Sequence, residues 1–385
     1  MIPTVLAAGL ALCMPQDPGR APEVDVLLVR AARIVLAPDQ ELKDEAILVR
    51  GGKVVAIGAA VPRDLPAGAR RLDLAGKTVV AGFVDAHQHL GQGEDLVERA
   101  DPATPELRAA DAFDPFDPQL ATLVRGGVTT IGFAPRSGNV IAGLATVLKT
   151  HDGAVLREDG YLKMALTGDA LDVQRKPTSL LGAAELVRKA FTAARDPRAA
   201  NDPAARALLE AATGARALVV HVEAQAEVHS ALALCEELQL QPVLLGCAEA
   251  WRMVPRLGTL RATVLVPPLG AEMRAQELGF PAALERAGAR VGFTAQRGQR
   301  RVADPGSLRR SAALAVRAGL SRKAALAALT TVPAEVLGMA ERVGSLQSGR
   351  DADFLVFSGD PLDLGSRLES VYVAGRALPA QEASR

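Results

Sequence analysis

The sequence predicts an α/β fold: a closed parallel barrel with a small β unit assembled from both ends of the chain. Three observations lead there. Short apolar strands alternate with Ala/Leu/Arg-rich helical stretches over about 250 residues, which is how a parallel sheet wrapped in helices is written. The run Thr78 to Leu90, T-V-V-A-G-F-V-D-A-H-Q-H-L, ends abruptly in Asp85, His87 and His89, where a barrel strand delivers polar groups to a site. Both chain ends are strand-rich and helix-poor. An open doubly wound sheet is the second choice, and no G-x-G-x-x-G or Walker loop comes after any strand to support nucleotide binding.

From Val24 to Leu74 the pattern is V-D-V-L-L-V, A-R-I-V-L-A, E-A-I-L-V and K-V-V-A-I, with Gly51-Gly52 as a hairpin turn that needs positive φ. D-A-D-F-L-V-F and S-V-Y-V-A-G-R near the far end supply the other strands, so segments 24–75 and 343–378 are expected to form one β domain around a body of residues 76–342. In the body, Val79, Val80, Phe83 and Val84 read as a buried strand. A Pro-rich loop from Gly91 to Pro118 comes next, then helix Gln119 to Arg125 and strand V-T-T-I-G-F-A. Helices are expected at Gly182 to Ala194, Ala226 to Leu238, Glu249 to Leu257, Phe280 to Ala287 and Ser307 to Ala318, between strands near Tyr161, A-L-V-V-H-V, P-V-L-L-G-C, T-V-L-V-P-P and R-V-G-F-T-A.

Bulk properties narrow the function. At 385 residues the chain can bury a barrel-sized core. Lys+Arg and Asp+Glu are equal at 44 each, which removes the broad pull toward nucleic acid or acidic membrane. With 3% aromatic residues, stacking platforms for bases are not a theme. Cys13, Cys235 and Cys247 have neither disulfide-framework nor zinc-finger spacing. The opening M-I-P-T-V-L-A-A-G-L-A-L-C-M-P has the apolar shape of a short signal peptide over residues 1–20, without a basic n-region. Export to the periplasm or outside is the expectation, and a cytoplasmic protein the alternative. No later stretch reaches transmembrane length.

Residues two apart at a strand exit point the same way, so His87 and His89 can present two imidazoles to one ion. Arg136, Ser137, Gly138 and Asn139 come directly after a strand and so lie on a loop at the same face, where they are candidates for substrate contact. Lys163 lies on an inner strand, His221 and Glu223 share a strand face, and His151 and His229 read as solvated. Cys235 and Cys247 read as buried small residues.

Taken as a set, G-F-V-D-A-H-Q-H-L-G (Gly82 to Gly91), L-R-A-A-D-A-F-D-P (Leu107 to Pro115), G-G-V-T-T-I (Gly126 to Ile131), P-R-S-G-N-V-I-A-G (Pro135 to Gly143), V-G-S-L-Q-S-G-R-D-A-D-F-L-V-F-S-G-D-P-L (Val343 to Leu362) and V-Y-V-A-G-R (Val371 to Arg376) resemble the amidohydrolase superfamily, in particular its imidazolonepropionase-like branch. The resemblance covers nearly all of the chain after the leader. It implies a (β/α)8 TIM-type barrel with a small β-sandwich domain built from both chain ends. It also implies a divalent metal, Zn²⁺ first, at the carboxyl ends of the strands, where the metal lowers the pKa of a bound water. Carried over by position, His87, His89 and His221 are the implied metal ligands, with Glu223 replacing His221 if the register shifts, and Lys163 a metal-bridging residue. The chain departs from the pattern at the eighth strand, which reads Thr294-Ala295 where the family has its catalytic Asp; Gly246 and Cys247 stand where many relatives carry a His.

Two functions are therefore expected to compete. One is a metal-dependent hydrolase of a non-peptide carbon–nitrogen bond in a cyclic amide or N-acyl substrate. The other is a catalytically impaired, small-molecule-binding protein of the same fold. On the first reading, Ala295→Asp raises hydrolysis.

Overall fold

Alternation decides which face each strand buries. In β1 (Val26–Ala37), Leu27 and Val29 pack in one apolar cluster with Val79 and Phe354, while Val26 and Leu28 pack in another with Ala46 and Leu48. The computed structural model describes residues 25–91, 96–296, 304 and 306–379. The expected signal-peptide stretch and Cys13 lie outside them.

The chain-end strands make one seven-stranded sheet. It comprises β1, β2 (Gln40–Arg50), β3 (Lys53–Ile57), β4 (Arg70–Ala81) and, from beyond residue 350, three strands that come after the body. Gly51 and Gly52 close the β2–β3 hairpin with φ of +56° and +74°, values open to glycine without steric cost. β4 pairs in parallel with β1 on one side and antiparallel with the strand Phe354–Phe357 on the other, so it joins the two chain ends. All seven strands belong to one hydrogen-bonded sheet, with apolar clusters on both of its faces.

The apolar run Thr78 to Leu90 divides between two sheets. β4 ends at Ala81 and β5 (Phe83–Gln88) begins a four-stranded sheet with β6 (Val128–Phe133), β8 (Thr146–Lys149) and β9 (Val155–Arg157); β7 (Ile141–Leu144) lies between β6 and β8 in the chain. The switch occurs across one residue. The Gly82 N–H donates to Asp353 O at 2.9 Å, in the chain-end sheet, and the Phe83 N–H donates to Gly127 O at 2.9 Å, beside β6.

The remaining body strands are β10 (Leu162–Ala165), β11 (Leu218–Val222), β12 (Pro242–Gly246), β13 (Thr263–Val266) and β14 (Arg290–Phe293). They run parallel and form a six-stranded sheet with β7 at its antiparallel edge. The chain-end sheet is completed by β15 (Phe354–Phe357), β16 (Leu368–Val373) and β17 (Arg376–Ala377).

The expected closed ladder is not seen among the described residues, because the four- and six-stranded sheets share no strand pairing. Their junction is made instead by side chains. Thr294 Oγ1 donates to His87 O at 2.7 Å and the Ala295 N–H donates to Asp85 Oδ2 at 2.8 Å, tying the end of β14 to β5.

The expected helices form, four of them with earlier starts, Pro118–Arg125, Leu180–Ala194, Gln225–Leu238 and Ala275–Ala287, and the fifth, Ser307–Arg317, with the expected start. The expected Glu249 to Leu257 helix is a 3-10 turn, Ala250–Met253, running into Val254–Thr259. Three further helices, Pro203–Ala212, Arg322–Leu329 and Thr331–Val336, are present. Faces alternate in β11 as well. Leu218, Val220 and Val222 join the helix-side core, while Val219 packs with Val84, Ala86, Leu245 and Leu265 on the inner side.

Gly132 in β6 lets the site strand pass. A Cβ there would stand 2.3 Å from Ala86 O and 2.6 Å from Leu337 Cδ2. Gly132→Ala is therefore expected to cost about 1–3 kcal/mol in urea unfolding, since the obstruction is backbone between Asp85 and His87.

Candidate active site

Asp85, fully buried in β5, organises the strand's exit. Its carboxylate accepts from the His87 N–H at 3.0 Å, the Ala295 N–H at 2.8 Å and the Gln88 side-chain amide. Burial raises its pKa and these hydrogen bonds oppose the rise, leaving it at about 6. It is a fixed acceptor that braces β5 against β14.

His87 and His89 are buried with ring centroids 4.6 Å apart, so the strand-exit spacing does bring the two imidazoles together. Burial first, then the Lys163 charge, holds both well below the ordinary histidine pKa. The rings are neutral, and their partners assign the tautomers. His89 Nδ1 lies 2.9 Å from Ala134 O, a pure acceptor, so Nδ1 carries the hydrogen and Nε2 the lone pair. His87 Nδ1 lies 2.7 Å from the Tyr161 hydroxyl. Burial pushes the phenol pKa well above its usual value, so Tyr161 keeps its proton. His87 Nδ1 is its hydrogen-bond partner among the described residues, so Tyr161 donates there and His87 Nε2 carries the hydrogen.

His221, on the inner face of β11, uses both ring nitrogens. Nδ1 is 2.8 Å from Ser137 Oγ and Nε2 is 3.0 Å from Glu223 Oε1. A carboxylate only accepts, so Nε2 donates, and in the neutral ring Nδ1 is then the acceptor for the Ser137 hydroxyl. The three side chains form one chain, Ser137 to His221 to Glu223. A cavity of about 10 Å³, room for roughly one water, touches all three together with His87, Gly246 and Gln296.

Ser137 is held rigidly. Lys163 Nζ donates to Pro135 O at 2.6 Å; Arg175 donates to Gly138 O and to Asn139 Oδ1, each at 2.8 Å. Lys163 is fully buried, and burial, then the Arg136 charge, pushes its pKa well below the usual lysine value. Of the loop candidates, Ser137 therefore reaches the site, whereas Asn139 fastens the loop to Arg175 and, through Nδ2, to Thr104 Oγ1 at 3.4 Å. Arg136 acts on Lys163 and His89 through its charge. His151 beside Asp152 and His229 beside Arg256 lie away from this cluster. Cys247 is buried, and burial pushes its thiol pKa up.

The expected three-histidine metal set does not fit this arrangement. His89 offers a lone pair, His87 Nε2 carries a hydrogen, and both His221 nitrogens are engaged. Among the described residues no group of three or more His, Cys, Asp or Glu side chains is arranged to hold a metal ion. Glu223 meets His221 rather than replacing it, and Lys163 donates to a backbone carbonyl rather than spanning two donor groups.

Sequence reasoning passed over Tyr161 and Gln296. Tyr161 opens an apolar strand and reads as core; Gln296 could have been found by its position two residues past Thr294, on the same side of an extended segment.

Comparison with known proteins agrees with this architecture. A model described as the Amidohydrolase family matches residues 273–378. The chain is 27% identical to the Amidohydrolase tasK of Hapsidospora irregularis over 86% of this chain and 39% of that protein. It is 28% identical to an imidazolonepropionase of Deinococcus radiodurans over 88% of this chain and 92% of the relative. A crystal structure of an amidohydrolase from Thermotoga maritima MSB8 superposes with a TM-score of 0.80 at 26% identity, covering 92% of this chain and all of that one. Over most of its length the chain is similar to proteins of the amidohydrolase superfamily. Among these relatives, the chain is imidazolonepropionase-like. The chain spans 39% of the length of tasK. Ala295, two residues past β14, stands where the resemblance placed a catalytic Asp, and its N–H donates to Asp85 Oδ2 at 2.8 Å.

Proposed function

We propose that the protein hydrolyses a non-peptide carbon–nitrogen bond in a small molecule, with His221 as the base that moves the proton and Glu223 as the group that orients it. The observation that carries this reading is the engagement of both His221 nitrogens beside the cavity: Nε2 on Glu223 at 3.0 Å, Nδ1 on a hydroxyl at 2.8 Å. A base held in one tautomer by a carboxylate, with its other nitrogen accepting from the group to be activated, is the arrangement general-base catalysis requires. The names of the imidazolonepropionase and amidohydrolase relatives support the bond class. In this reading the four- and six-stranded sheets act together as the barrel, and the chain-end strands act as its β domain.

The proposed chemistry routes no step through Zn²⁺ or another divalent metal, because the donor set described above does not fit one. It also reverses the expectation for Ala295→Asp. A carboxylate added there lies beside Asp85, to which the Ala295 N–H already donates at 2.8 Å, and like charges in a buried site oppose each other. The variant is expected to turn over amides no faster than the native protein.

A second reading, ligand binding without turnover, is favoured by one observation, the missing carboxylate at position 295. One assay separates them: hydrolysis of N-formyl amines, N-acetyl amines and cyclic amides, with and without exhaustive chelation, for the native protein and Ala295→Asp. Turnover that survives chelation and does not rise in the variant supports the proposal. Binding of the same compounds without turnover favours the second reading. Turnover lost on chelation, restored by Zn²⁺ and raised by Ala295→Asp overturns the proposed chemistry.

A further inference from the structure

We infer that the substrate carries an uncharged apolar group of about three heavy atoms beside the bond that is cut, and that this group enters a slot between the exits of β12 and β13. The inference rests on the hydrolase reading for the class of bond, and on nothing about which group moves the proton. The slot holds about 40 Å³, room for roughly three waters, and shares Gly246 and Pro267 with the cavity beside His221 and Glu223. A group seated in it therefore belongs to a molecule that reaches the site.

The backbone opens the slot. β12 and β13 pair from Val243 and Thr263 to Leu245 and Leu265, and then they part. β12 turns toward β11: Gly246 and Cys247 take φ of +95° and +61°, the Cys247 N–H donates to Val222 O at 2.6 Å and the Glu249 N–H to Glu223 O at 3.1 Å. β13 stays with β14, through the Thr294 N–H on Val266 O at 3.0 Å. The two residues that continue β13, Pro267 and Pro268, have no N–H, so the parting strands no backbone donor there.

Trp251, Val266, Leu269, Met273 and Phe280 supply apolar walls. Phe280 is buried, while Trp251 and Met273 are half-buried against the body core, which leaves part of each uncovered. The Gly270 N–H donates to Met273 Sδ at 3.4 Å and holds the thioether in place. Glu277 is the one carboxylate among the described lining residues, and its Oε2 accepts from the Arg274 N–H and Nε, each at 3.0 Å. No Lys, Arg or His lines the slot among the described residues. A carboxylate placed here loses water and gains no cation, whereas an apolar group gains by leaving water. The lining, more than the volume, sets the preference.

Trp251 is the only Trp in the sequence, so its fluorescence reports on the slot. The test titrates the native protein with two shape-matched pairs of amides and measures turnover of each. N-formylisobutylamine is set against N-formylglycine, and isovaleramide against malonamate, so that an isopropyl group in one member is a carboxylate in the other. At least one isopropyl member is expected to shift Trp251 emission and to bind about tenfold tighter, or more, than its carboxylate partner. Met273→Lys should reverse that order and Met273→Leu should keep it. The native titration needs no variant to fold, so unchanged emission with all four compounds, or carboxylate members that bind as tightly in both pairs, overturns the inference. An isopropyl preference that persists in folded Met273→Lys places the group elsewhere and overturns it too. Turnover without the preference removes the slot and leaves the hydrolase reading standing. The preference without turnover of any amide supports the slot and removes the hydrolase reading instead.

Discussion

Replacing His221 by Ala is expected to lower amide turnover by about 10²–10⁴-fold, the range for loss of a positioned general base. The substitution removes the one group that joins Ser137 to Glu223, so neither can compensate. Ser137 would keep its hydroxyl but have no acceptor at 2.8 Å, and Glu223 would have no imidazole to orient. Glu223→Gln is expected to be milder. An amide can still accept from His221 Nε2, so geometry is retained while stabilisation of the imidazolium is lost. Both variants should keep native far-ultraviolet circular dichroism, because His221 and Glu223 hydrogen-bond each other and Ser137 rather than the helix-side core. The measurement is kcat on the best amide. Equal losses in the two variants would place the whole effect on Glu223 and remove His221 as the base.

The second large effect concerns the contact between the body and the chain-end sheet. Lys149, at the end of β8, is buried with its Nζ 3.0 Å from Asp351 Oδ2 and also on Asp353. Asp351 further pairs with Lys53 at 3.1 Å and Arg342 at 3.0 Å, and Asp353 accepts from the Ala374 N–H at 3.0 Å. Lys149→Met leaves two buried carboxylates short of their shared cation. A cost of about 3–5 kcal/mol is expected in urea or guanidinium unfolding, since breaking a buried pair strands the remaining charge. The pH dependence has a definite sign. Burial alone would raise the Asp351 pKa, yet Lys149, Lys53 and Arg342 hold it below the ordinary aspartate value of 3.8. A depressed carboxylate contributes stability that is present above its unfolded pKa and lost as pH falls through its folded value, so the native protein should lose this contribution only below about pH 4. In Lys149→Met the loss should begin at higher pH.

Much of the fold and part of the site are legible in the sequence, for reasons that differ by residue. His87 and His89 come together because a period-two strand puts residues two apart on one side, which spacing alone reveals. The Gly51-Gly52 turn is legible because two adjacent glycines between apolar runs have few other uses. The β4–β5 switch is not: Val79, Val80, Phe83 and Val84 are all buried, in two different sheets, so the run reads as one strand and only the hydrogen-bond partners of Gly82 and Phe83 separate them. The helices Pro203–Ala212 and Arg322–Leu329 have readable starts, Asp202 and Ser321, whose side chains accept from the N–H groups of Ala204 and Ala324. Ser137 is legible as a loop residue but not as the partner of His221, which lies 84 residues away. The resemblance pointed His221 toward a metal, and only the positions of Ser137 and Glu223 show both of its nitrogens already in use.

The state of that ring can be measured directly. In ¹⁵N-labelled protein, two-bond correlation spectra of His221 report which ring nitrogen carries hydrogen and whether either binds a metal. The account predicts hydrogen on Nε2, altered by Glu223→Gln and by Ser137→Ala, and unchanged by one equivalent of Zn²⁺. A hydrogen on Nδ1, with Nε2 shifting to a metal-bound value as Zn²⁺ is added, would contradict it.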